Sequence, residues 1–126
     1  MNALEKAEVL KDRAKQFAIR IVAVARSLPT SREGNVIGNQ LLRSGTAVAA
    51  NYRAVCRARS RAEFISKMSV VVEEADETVF WLELLTDTRV VPRDKLLPLL
   101  KEANELLAIC AASLRTAKYN KQEGWC

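Results

Sequence analysis

The arginines come first, because guanidinium groups are the side chains best built to bind phosphate or carboxylate in a planar, two-pronged way. "LLRSGTAVAANYRAVCRARSRAEF", residues 41–64, holds Arg43, Arg53, Arg57, Arg59 and Arg61 with no acid before Glu63. Arg53 and Arg57 are one helical turn apart, and Lys67 follows Glu63 by another turn. Phosphate contact is one chemistry open to such a set. The other is solvation or pairing with acids, since positive charge at a helix C-terminus is already favoured by the helix dipole. Both readings stay open on the residues alone.

A second group is acidic. Glu73, Glu74 and Glu77 could be written as acid–base groups or metal ligands, but charge runs on helices are usually solvated faces. The chain has no histidine, so it lacks an imidazole base, a Ser–His or Cys–His nucleophile and the Glu-x-x-His pairs of carboxylate-bridged metal sites. Gly34 and Gly38 do not lead into the Gly-Lys-Ser/Thr ending of a phosphate loop. Cys56, Cys110 and Cys126 are an odd count without a Cys-x-x-Cys, which argues against a disulfide framework or zinc and for a reducing, cytoplasmic compartment. The expectation is a protein that is not an enzyme and takes no cofactor or metal.

The elements that must carry these side chains follow from period and caps. Asn2 with Glu5 opens a helix whose seam is Leu10, Ala14, Phe17, Ile21, Val24 and Leu28, stopped by Pro29. After "PTSREGN", with Gly34 and Asn35 read as turn residues, Ile37, Leu41, Ser44, Val48, Asn51 and Val55 form a second seam. Beside it runs a stripe of Leu42, Gly45, Ala49, Tyr52 and Cys56, so this helix is covered on more than one side, with small residues where another backbone comes close. "SRAE", Ser60 to Glu63, is a capping box for a third helix with Phe64, Met68, Val71, Ala75, Thr78 or Val79, Leu82 and Leu85 inward. Its outer face carries Glu73, Asp76, Glu83 and Asp87, with Phe80 out of place among them. A fourth seam, Leu96, Leu100, Ala103, Leu107, Cys110, Leu114 and Ala117, is expected to become regular near Pro98.

The expected helices span about 3–28, 35–58, 61–87 and 93–118, followed by a frayed or disordered tail over 119–126. Connections this short force alternating directions, so the fold class is all-α, an up-down-up-down antiparallel four-helix bundle in one domain. No stretch approaches the ~20 apolar residues needed to span a bilayer, the charged N-terminus is unlike a signal peptide, and no single helix combines a basic and an apolar face for a membrane surface. A net charge of +5 and a pI near 9.4 lean towards anionic partners. Phe80 and Trp81 read as core residues at a shifted register or as exposed anchors for another subunit; Phe80 is the better anchor. Glu73 and Glu77 are the acids that such a contact could offer to arginines of a neighbour.

From Gln40 to Leu85 the chain resembles the bacterial four helix bundle protein family. Relatives of that family are encoded in intervening sequences of large-subunit ribosomal RNA genes, and others are accessory variability proteins of diversity-generating retroelements. The resemblance rests on "LLRSG", Asn51, Glu63-Phe64 and the acidic-apolar run of the third helix, and extends from about Phe17 to "LLKEANELLAICAASLRTAK". It departs where many members have Ile-Pro-x-Asn-Ile-Ala-Glu-Gly: Ala49 stands for the proline and Ala54-Val55 for the Glu-Gly, so a straighter second helix is expected. The resemblance implies a homopentamer with a central channel and, in the retroelement branch, a basic surface that binds nucleic acid and a reverse transcriptase. Carried onto this sequence, the residues expected to meet RNA or DNA are Arg53, Arg57, Arg59 and Arg61, with Arg43 and Lys67 behind them. The alternative is an oligomeric protein-interaction adaptor whose arginines pair with acids of the third helix.

Overall fold

Short polar side chains start three of the helices. Asn2 Oδ1 accepts the Glu5 N–H at 2.8 Å, Ser31 Oγ accepts that of Gly34 at 3.0 Å, and Ser60 Oγ accepts that of Glu63 at 3.0 Å. In the computed structural model, which describes residues 1–119, the helices are α1 (Ala3–Ser27), α2 (Arg32–Val55), α3 (Arg61–Asp87) and α4 (Arg93–Tyr119). The tail expected beyond the last helix lies, from residue 120 on, outside the described residues. No helix among them is long and apolar enough to cross a membrane.

Three boundaries differ from expectation, each for a local reason. α2 starts at Arg32 because Ser31 caps it, and Gly34 sits buried in its first turn. A Cβ at Gly34 would run into the Pro29 carbonyl, so glycine there permits a close approach. At the other end α2 gives way after Val55 to i→i−3 bonds, Arg57 N–H to the Ala54 carbonyl at 3.1 Å and Ala58 N–H to that of Val55 at 3.0 Å. α4 is regular from Arg93 and carries Pro98 inside its second turn, where Asp94 and Pro98 are both exposed and water can satisfy the freed carbonyl.

α2 packs against α1 and α3, and α3 against α4, while α1 and α4 touch sparsely. The result is a four-helix bundle. One part of the core gathers Phe17, Ile21, Leu41, Leu82, Leu96 and Leu106, the other Val48, Val55, Phe64, Met68, Val71 and Cys110. Two seams shift by a position. In α2, Tyr52 is buried where Asn51 had been expected to be, because a ring gains from burial what an amide would lose. In α4, Leu99 and Leu106 are buried, while Leu100, Leu107 and Leu114 are only partly so. A 3.6-residue helix drifts off a strict heptad by about 20° per repeat. Burial also pushes the Cys110 thiol up to about 11, so it behaves as an apolar side chain.

Where α2 crosses α3, the buried Thr78 hydroxyl lies 3.0 Å from Ser44 Oγ and 2.7 Å from the Glu74 carbonyl. α1 and α4 are held by Arg13, whose Nε and Nη2 donate to Glu102 at 2.8 and 2.6 Å, with Nη2 also 2.5 Å from Glu105. The Arg13 hydrogen bond holds the Glu102 carboxyl below the usual range, against an opposing effect of burial. A depressed carboxylate stabilises the fold above its unfolded pKa, near ~4.3, and that stability is lost as pH falls through the folded value. Arg13→Ala is therefore expected to cost about 1 kcal/mol at neutral pH, for a pair still partly in solvent. The melting difference from wild type should close as the pH is taken down towards about 3.

α3 ends with Arg89 at φ 57°, in the left-handed region that glycine occupies without strain. Arg89→Gly is expected to raise stability by about 0.5 kcal/mol in urea unfolding, the relief of strain being partly offset by the freer unfolded chain.

Candidate nucleic-acid interface

Because the helices alternate, the start of α1, the end of α2, the start of α3 and the end of α4 meet at one end of the bundle. That topology gathers the arginines spread along residues 53–61. Arg53 projects from the last turn of α2 and Arg57 from the turn just beyond it; both are exposed, and neither guanidinium makes a hydrogen bond or ion pair among the described residues. Arg59 lies in the connection, with Nε 3.9 Å from Glu63 Oε2. Lys67 Nζ is 3.9 Å from the other oxygen of the same carboxylate. Both separations are long for an ion pair, and Glu63 also accepts the Arg59 N–H at 3.4 Å. Arg53, Arg57, Glu63 and Lys67 line a shallow depression of about 470 Å³ floored by Ala50 and Ala54.

The other two arginines are engaged differently. Arg61 Nε donates to the Ala117 carbonyl at 2.6 Å and Nη2 to that of Lys118 at 2.7 Å. It thus ties the start of α3 to the last described turn of α4. Arg43 lies nearly three turns, about 15 Å, up α2 from Arg53 and pairs across to α3. Its Nη1 is 3.2 Å from Glu74 Oε2, and its Nη2 contacts Glu77. The Glu77 bond raises the Arg43 pKa further. The pairing of α2 arginines with α3 acids, expected between subunits, is made here within one chain at Arg43.

Sequence reasoning passed over Lys11 and Lys15. With Glu8, Asp12, Thr46 and Arg53 they line a second depression of about 530 Å³ between α1 and α2, which meets the first at Ala50 and Arg53. The signal was present: the two lysines are one turn apart and share a helix face, but Glu8 and Asp12 interleave with them and mask it. Glu8 already reaches Lys11 at 3.2 Å.

On α3, Phe80 is 52% exposed and meets Trp81 edge to face, ring centroids 4.9 Å apart. The Trp81 indole, half-buried, donates to Glu77 at 3.1 Å, while Glu73 is exposed on the same helix. Glu77 thereby ties Arg43 and Trp81 together.

An antiparallel four-helix bundle with a cationic end and an outward phenylalanine on its third helix is the class that fold and surface define. Residues 5–112 match the family model of the 23S rRNA-intervening sequence protein, and the chain belongs to that family. A solved structure from Bacteroides thetaiotaomicron VPI-5482, described as a protein with unknown function from the S23 ribosomal protein family, is similar at 36% identity. The match covers 88% of this chain and 99% of that one, with a TM-score of 0.80. No curated protein matches the chain.

Proposed function

We propose that this protein is a non-enzymatic, oligomeric bundle, a pentamer, that presents its cationic end to the phosphates of RNA or DNA. The observation that carries this is the state of Arg53 and Arg57: exposed at the end of α2, beside Lys67 and Arg59, without an acid of their own among the described residues. Guanidinium groups left in that condition have no ion pair to break before they meet a phosphate, and each contact releases condensed counterions. Arg61, occupied with the α4 carbonyls, and Arg43, occupied with Glu74 and Glu77, act as supports of this surface. Phe80 is the side chain expected to anchor a neighbouring subunit, and a reverse transcriptase is a partner that the family resemblance adds.

A second reading is favoured by one observation, the Arg43 pairing with Glu74 and Glu77: an adaptor whose charges serve protein contacts. Fluorescence anisotropy against a structured RNA and a duplex DNA, over ~50 to ~200 mM salt, tests the first reading. Binding that weakens steeply with salt supports it, and no binding at the lowest salt removes it. Arg57→Glu separates the two. A phosphate-binding surface loses its ligand and keeps its size by light scattering, whereas an adaptor changes size.

A further inference from the structure

Two outward helix faces of this chain carry opposite charge around one large apolar side chain each. On α1, residues 13–27 include Arg13, Lys15, Arg20 and Arg26 and no acid. Ile19, Ala23 and Arg26, at steps of four and three, share the outward side of that stretch, and Arg20 follows Ile19. All four are exposed, Ile19 to 54%. On α3, residues 73–87 contain acids and no Lys or Arg. Phe80 is 52% exposed there, with exposed Asp76, Glu83 and Asp87 three to seven residues away on the same side. Glu77 is occupied by Arg43 and the Trp81 indole. Asp76, Glu83 and Asp87 make no ion pair among the described residues, and neither do Arg20 and Arg26, although Arg20 acts on Glu102 from a distance. α1 and α3 flank α2 without packing against each other, so their outward faces cannot meet within one molecule.

We infer that these faces are the two halves of one contact between copies of this chain: α3 of one copy, through Phe80, seats on α1 of the next, at Ile19. The inference rests on the oligomer reading above and supplies the surface that receives Phe80. Charge complementarity is the first argument, and level is the second. Both helices start at the cationic end and run the same way. Counted from Ala3, Ile19 stands about 24 Å along α1, Arg20 about 26 Å and Arg26 about 35 Å. Counted from Arg61, Asp76 stands about 23 Å along α3, Phe80 about 29 Å and Glu83 about 33 Å. Two copies side by side and parallel therefore set Phe80 within a turn of Ile19, Arg20 near Asp76 and Arg26 near Glu83. A contact between two different patches is heterologous, and it closes into a ring when each copy is rotated without being shifted along the axis. Matched levels meet that condition. The aromatic anchor supplies the buried area, while the opposite charges fix partner and register. A foreign basic helix would meet Phe80 and leave Ile19 uncovered; a second copy covers both. Arg53, Arg57 and Lys67 lie outside the contact, which leaves the cationic end free for phosphate.

Sedimentation velocity of the full-length protein and two variants at exposed positions, Phe80→Glu and Ile19→Glu, tests the contact, with helix content checked by circular dichroism. Wild type is expected as an assembly and each variant alone as a single chain. Mixed in equal amounts, the variants should form a species of two chains and stop there. The intact α1 face of the Phe80→Glu chain then meets the intact Phe80 of the Ile19→Glu chain, once, and the two faces left over are both spoiled. The contact is overturned if wild type assembles and Ile19→Glu keeps that size, which would put Phe80 against some other surface. It is equally overturned if Phe80→Glu keeps the wild-type size, or if the mixture stays at single chains. A wild type that sediments as a single chain at every concentration removes the oligomer reading itself, and the contact with it.

Discussion

Valine in place of Gly45 is expected to lower the stability of the bundle by about 3 kcal/mol and its melting temperature by roughly 10 °C. Gly45 is buried at the crossing of α1 and α2, and a Cβ there would stand 2.7 Å from Ile21 Cγ2 and 2.8 Å from Cγ1. Ile21 is fully buried and branched at Cβ, so it has neither room nor an alternative rotamer to yield. Gly45→Ala sets two effects against each other: alanine gains about 1 kcal/mol of helix propensity, and the overlap costs about 1–3. The overlap wins, and a smaller net loss is expected. Ile21→Ala removes both offending carbons, so in the double variant the Gly45→Ala cost should vanish or reverse, a non-additivity read from urea unfolding. A Gly45→Val protein that melts like wild type would mean that α1 and α2 are not this close.

The largest expected effect on binding is that of Arg53→Glu with Arg57→Glu and Lys67→Glu. The slope of log affinity against log salt changes by about 0.9 per phosphate contact on duplex DNA, and these three removals should flatten it by nearly three. Thermal unfolding should stay close to wild type, because surface charges of this kind carry little stability. Arg43→Glu is the internal contrast. It sets three carboxylates together where Arg43 meets Glu74 and Glu77, and should lower the melting temperature while leaving the salt slope near that of wild type. If Arg43→Glu abolished binding while the triple variant bound normally, the ligand face would lie along α2 and α3 rather than at their end.

The candidate surface was legible in part. Arg53, Arg57, Arg59 and Lys67 could be named from their spacing, because residues a turn apart share a face whatever the rest of the fold does. That Arg61 turns inward to the last carbonyls of α4 could not be read, since its partners are 56 and 57 residues away. Lys11 and Lys15 stayed hidden for a similar reason: they join the surface only because α1 lies beside α2, while their own segment is balanced by Glu8 and Asp12.

Composition, caps and the recurrence of apolar residues determined the helices, their order and their alternating directions, because these are local consequences of a 3.6-residue period and of short connections. Asn2 and Ser60 could be read as caps from the sequence for that reason. Only the tertiary structure decided which residue of a seam goes in, as with Tyr52 over Asn51, and which cation pairs and which remains exposed. Each of those outcomes depends on distances between segments remote in sequence. A pattern along one helix specifies the face that is buried, and only the neighbour that buries it settles what each side chain touches.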